Sequence, residues 1–100
     1  MTAYPKKEYI RDKRILEACR TIPCQYCGVQ DGTVVAAHSN QSEHGKGRGI
    51  KASDEFVAAL CHKCHSMIDQ GSRLMRWERE DIWNHAHAKT RIELQALGVL

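Results

Sequence analysis

A chain of 100 residues and 11.4 kDa has room for one hydrophobic core. Hydrophobic residues at 42% and charged residues at 27% are globular proportions and not those of a disordered chain. With 15 Lys and Arg against 12 Asp and Glu, the formal charge is only +3, which excludes a histone-like polycation and suits a modestly basic enzyme or nucleic-acid binder. Five Cys and six His stand out for this length. No run approaches the ~18 apolar residues of a membrane span, and Met1 to Lys7 lacks the apolar segment of a signal peptide. The expectation is a cytoplasmic protein without a membrane partner, where a Cys/His cluster reads as a metal site before a disulfide.

Lys6–Arg20 is free of Gly and Pro and rich in helix formers, with Tyr9, Leu16 and Cys19 on one face beside Ile15. Pro23 stops this helix. Cys24-Gln-Tyr-Cys27-Gly28 reads as a tight turn, and Asp31-Gly32 as a hairpin signal before the β-prone Thr33–Ala37. Ser39–Asp54 is polar, carries three glycines and reads as a loop, and Phe56–Leu60 as a second strand. A short helix from Cys64 ends at Gly71. Ser72 suits an N-cap for a long helix over Arg73–Leu97, closed by Gly98. Trp83, Ala86, Thr90, Leu94 and Leu97 follow helical spacing and are expected in the core, as are Trp77 and Trp83 as aromatics. The fold class is α+β: one domain over 1–100, with a core of about 20–71 and a C-terminal helix of about 72–97.

Cys24-x-x-Cys27 and Cys61-x-x-Cys64 are two chelating turns. Each points two sulfurs at one place, and two such turns complete a tetrahedral thiolate site suited to structural Zn²⁺. Cys19, in a helical setting, is expected to be a buried thiol, with replacement of Cys24 as a ligand the alternative. Four thiolates would leave that zinc no open position, so chemistry must come from elsewhere. His65 follows Cys64, and Asp69 lies one helical turn further on, so an imidazole and a carboxylate share a face that suits one divalent ion. His38 ends the first strand, and Asn40 and Asp54, at the two ends of the loop, either orient His38 or add an oxygen ligand. His44, His62, His85 and His87 are expected at the surface.

Ala36-Ala-His38-Ser-Asn40, Gly45-Lys-Gly-Arg-Gly49-Ile-Lys51-Ala-Ser-Asp54 and Leu60-Cys61-His-Lys-Cys64-His65-x-x-x-Asp69 together resemble the HNH endonucleases of the ββα-metal (His-Me finger) superfamily, most of all small phage and prophage members. The resemblance runs from about Ile10 to Gly71. It implies a zinc-stabilised ββα-metal fold and hydrolysis of DNA phosphodiester bonds, in phage recombination or DNA processing. It also implies His38 as general base, and His65 as ligand of a catalytic Mg²⁺, Mn²⁺ or Zn²⁺ with Asp69 as a second ligand. Asn40 or Asp54 would take the role of the middle residue that fixes loop and base. Many members carry an acidic residue or His just before the base; here that position is Ala37.

Lys46, Arg48 and Lys51 come within six residues without an acidic neighbour, among glycines that let a phosphate approach the backbone. They read as a contact to duplex or branched DNA. The order of a nucleotide P-loop is absent. Two other readings compete: a non-catalytic zinc-binding nucleic-acid module, favoured by Ala37, and a zinc-stabilised protein-interaction domain that uses the long helix. Double-strand cutting would call for a homodimer.

Overall fold

A computed structural model describes residues 10–44, 51–70 and 73–100. Asp12 starts the first helix, α1 (Lys13–Cys19). Its backbone is extended and its carboxylate accepts the Arg14 N–H at 2.9 Å, so an Asx-type cap wins over continuation of the helix expected from Lys6. Ile10–Asp12 instead lies beside 52–54: the Asp54 N–H donates to Ile10 O at 2.8 Å, and the Ile10 N–H donates to Ser53 Oγ at 3.1 Å. Residues 6–9, Tyr9 included, lie outside the described residues. Ile15 and Cys19 face the core and Leu16 packs beside it.

Strands β1 (Val35–His38) and β2 (Val57–Leu60) form a two-stranded antiparallel sheet in which Val35 faces Leu60 and His38 faces Val57. Asp31-Gly32 does not close this hairpin. The Asp31 carboxylate accepts both the N–H and the hydroxyl of Thr33, at 3.0 and 2.6 Å, and Gly32 takes φ +85°, so the dipeptide makes a local turn ahead of β1. The Thr33 hydroxyl then accepts the His62 N–H at 3.0 Å, and so caps the next helix, α2 (His62–Gln70). Gly71 and Ser72 lie outside the described residues. The long helix α3 covers Arg76–Ala96, with Met75 as N-cap and the Glu78 carboxylate reaching back to accept the Met75 N–H at 2.8 Å.

β2 is buried along its whole length, and α3 packs on it while α1 packs on β1. Trp83, Ala86, Thr90 and Leu94 bury the inner face of α3 at 0–3% exposure, as their spacing predicts. Leu97 does not: it is the C-cap, 54% exposed, and the chain turns back at Gly98 (φ +78°), where the Val99 N–H donates to Leu94 O. Trp77 is also outside the core, at 67% exposed.

A two-stranded sheet leaves strand edges without a strand partner. On β2, α3 covers such groups with side chains. The Thr90 hydroxyl accepts the Ala59 N–H at 3.0 Å while donating to Ala86 O, and His87 Nδ1 donates to Val57 O at 2.7 Å. The backbone N–H of Gln25 takes Ala59 O at 2.8 Å. Trp83 Nε1 donates to Ala37 O of β1 at 3.0 Å. Substituting Thr90→Val keeps the shape but strands the buried Ala59 N–H, so urea denaturation is expected to show a loss of about 1–3 kcal/mol. Thr90→Ser keeps the hydroxyl and is expected to retain most of that stability; a Thr90→Val protein as stable as wild type would remove this role for the hydroxyl.

Candidate metal centre and histidine cleft

The first cysteine turn is shaped by its backbone. The Gly28 N–H donates to Cys24 O at 2.9 Å, the Cys24 N–H donates to Val29 O at 2.8 Å, and Gly28 takes φ +83°, a conformation that favours glycine. The Cys27 N–H points at Cys24 Sγ, 3.5 Å away. The second turn forms where β2 runs into α2: Cys61 follows the strand, and its carbonyl accepts the His65 N–H at 2.9 Å. Cys24, Cys27, Cys61 and Cys64 bring their sulfurs within 4.8 Å of one another. Cys27 Sγ and Cys61 Sγ are 3.7 Å apart. A tetrahedral zinc with Zn–S of about 2.3 Å has sulfur–sulfur edges of about 3.8 Å, so the cluster matches such a site in ligand type and spacing. Four cysteines held this way could bind a metal ion such as zinc.

Electrostatics points the same way. Burial works against the Cys24 thiolate, but N–H groups of Cys27, Cys61 and Tyr26 outweigh it and bring its pKa down to about 6. Burial pushes Cys61 up, and burial together with the neighbouring sulfurs pushes Cys64 up. The Cys24 thiolate is favoured while Cys61 and Cys64 resist ionisation beside it, the imbalance a cation at the centre corrects. Cys19 is buried in the core, outside the group of four, and burial pushes its thiol up to about 12.

His38 sits at the end of β1, half-buried, with Nε2 2.8 Å from Asp54 Oδ1. Asp54 is 2% exposed. Its Oδ2 accepts the Asp12 N–H at 2.6 Å, and the Arg11 guanidinium lies 3.7 Å from Oδ1 while donating to the carbonyls of Ala52 and Lys51 at 2.7 and 3.0 Å. Asp54 therefore belongs to His38. Asn40 does not: its Nδ2 donates to Asp69 Oδ1 at 3.0 Å, tying the end of β1 to α2. Asp69 Oδ2 in turn lies 2.9 Å from His65 Nε2. A carboxylate on one imidazole nitrogen fixes ring and tautomer and leaves the other nitrogen to accept a proton. That is the arrangement at His38. His65 and Asp69 offer one nitrogen and one carboxylate, but among the described residues only the cysteines gather three or more His, Cys, Asp or Glu ligands at one point.

Beside Asn40 and Asp69 opens a cleft of about 340 Å³, lined on the α3 side by Arg76, Arg79, Glu80 and Trp83. Of the basic loop, Lys46 and Arg48 lie outside the described residues, and Lys51 is exposed.

Two histidines expected at the surface are structural. His44 stacks on Phe56 with ring centroids 4.6 Å apart, and its Nδ1 lies 2.6 Å from Ser39 Oγ. His87 stacks on Trp83 at 4.7 Å and bonds to Val57 O, and burial pushes its pKa down. Trp83 and His87 are one helical turn apart, a spacing that signals a shared face. His62 and His85 are exposed. Arg76 and Arg79, also spaced to share a face, are cleft residues that the sequence did not single out.

Comparison with protein families, with curated proteins and with solved structures finds no match to this chain.

Because the thiolate cluster links separate parts of the chain, removing a bound metal with a strong chelator is expected to unfold it cooperatively, read by far-UV circular dichroism. Cys61→Ser is expected to lose the metal, and Cys19→Ser to keep it. Equal metal content in the two variants would refute the assignment.

Proposed function

We propose that this chain is a metal-dependent DNA endonuclease of the HNH kind, with a structural zinc on Cys24, Cys27, Cys61 and Cys64. The observation that carries the reading is the pairing of half-buried His38 with buried Asp54 at the end of β1, in a strand–loop–strand–helix order whose helix presents His65 and Asp69. The bond from Asn40 to Asp69 supports it, because it draws the end of β1 towards that helix face.

His38 acts as general base. Asp54 holds Nε2, so Nδ1 accepts the proton from a water whose oxygen attacks the scissile phosphorus as the P–O3′ bond breaks. Asp12 and Arg11 hold Asp54 in turn. A divalent ion on His65 and Asp69 would polarise the phosphate and stabilise the leaving oxygen. Lys46, Arg48 and Lys51 would contact the DNA backbone. A reducing cytoplasm would keep the thiols ready for zinc, a phage role in recombination or DNA processing is the implied setting, and a homodimer would supply two sites for double-strand cuts.

A second reading is a non-catalytic zinc-binding nucleic-acid module. Ala37 favours it: its side chain is buried where a further ligand would stand, and no third His, Cys, Asp or Glu among the described residues joins His65 and Asp69.

Cleavage of supercoiled plasmid with Mg²⁺, Mn²⁺ or Zn²⁺ separates the two readings. His38→Ala is expected to lower the rate by roughly 10²–10⁴-fold with metal content and melting temperature retained. DNA binding without cleavage in any of the metals supports the second reading, and equal cleavage by wild type and His38→Ala overturns the first.

A further inference from the structure

Arg76 and Arg79 lie three residues apart at the start of α3, on the wall of the cleft beside Asn40 and Asp69. The acidic groups of this cleft already have partners. Asp69 is bonded to His65 and Asn40, and Glu80 Oε2 lies 3.3 Å from Arg76 Nε. Arg79 differs: its Nε is buried with no hydrogen-bond partner among the described residues. Buried polar groups are normally satisfied, and a guanidinium does not escape the cost by deprotonating. A water would satisfy the N–H but leave the positive charge unbalanced. An anion with several oxygens answers both, and the cleft has space for one.

We propose that this cleft is a phosphate subsite in which Arg79, seconded by Arg76, holds the non-bridging oxygens of a nucleic-acid phosphodiester. The proposal deepens the nuclease reading and rests on it for the choice of ligand: it names a place where the backbone is gripped, separate from the loop of Lys46, Arg48 and Lys51. Arginine suits the task because its planar fork matches two phosphate oxygens at once. Arg76 is half committed to Glu80, so phosphate binding draws it from an exposed ion pair of small worth.

The test follows the Arg79 side-chain Nε–Hε resonance in metal-loaded, ¹⁵N-labelled protein titrated with the dinucleotide dTpdT, with inorganic phosphate in a parallel arm. The expected result is a saturable shift at Arg79, with the exposed Trp77 indole unmoved as control. Arg79→Gln is expected to weaken duplex DNA binding roughly ten-fold and to reduce the slope of log K against log salt by about 0.9. Its melting temperature reports whether the fold is kept. An Arg79 resonance unmoved by the dinucleotide overturns the proposal, as does a folded Arg79→Gln protein with wild-type affinity and salt slope. Inorganic phosphate that binds as tightly as the dinucleotide overturns the choice of a backbone diester. If the dinucleotide shifts Arg79 while plasmid stays uncut in every metal, the subsite stands and the nuclease reading falls. If plasmid is cut through His38 while Arg79 is indifferent, the nuclease reading stands and the subsite falls.

Discussion

Four sulfur atoms within 4.8 Å of one another join the turn after α1 to the junction of β2 and α2. The largest fully buried apolar side chains are few, Ile15, Leu60, Leu94 and Val57 among them, and the middle of each strand is a pair of alanines. Such a core gains limited free energy from burial, and small domains make up the difference with a metal or a disulfide. Hydrogen bonds also tie the cysteine turns to the sheet: Gln25 bonds to Ala59, and Thr33 caps α2. A metal bound to the thiolates would lock these contacts at one point. Because His65 directly follows Cys64, the same constraint sets where α2 begins and which way its His65–Asp69 face lies.

A second constraint is the buried carboxylate of Asp54. Removing a charge from water is costly unless it is paired and hydrogen-bonded. Asp54 has His38, the Asp12 amide and the Arg11 guanidinium around it. Those partners come from β1 and from the segment ahead of α1, so one side chain ties three stretches of chain together. The arrangement also fixes the ring of His38, as its proposed role of general base requires.

What was legible in the residues follows from range. The cysteine turns depend on spacing within four residues, so the group of four could be read directly. The inner face of α3 depends on helical period, and Trp83, Ala86, Thr90 and Leu94 lie where the period puts them. Local rules failed where a competing bond was decisive. Asp12 capped α1, Ile10 and Arg11 run outside the helix beside 52–54, and Asp31 closed a turn on Thr33 in place of the hairpin. Leu97 fits the period but stands one step past the last turn. The partners of Asp54 and Asn40 depend on contacts across 16 and 29 residues, which no local pattern encodes. The spacing left open whether Asp54 orients His38 or binds a metal, and the geometry pairs it with His38. The place of His87 follows from its stacking on Trp83, and that of Arg79 from the cleft, so both emerge only once α3 is laid across the sheet.

X-ray absorption at the zinc edge of purified protein asks whether a single metal held by four thiolates organises this chain. The expected result is a coordination sphere of four sulfurs at about 2.3 Å with no nitrogen or oxygen. A shell that mixes in nitrogen or holds fewer than four sulfurs would contradict it, as would well-folded protein that carries no metal.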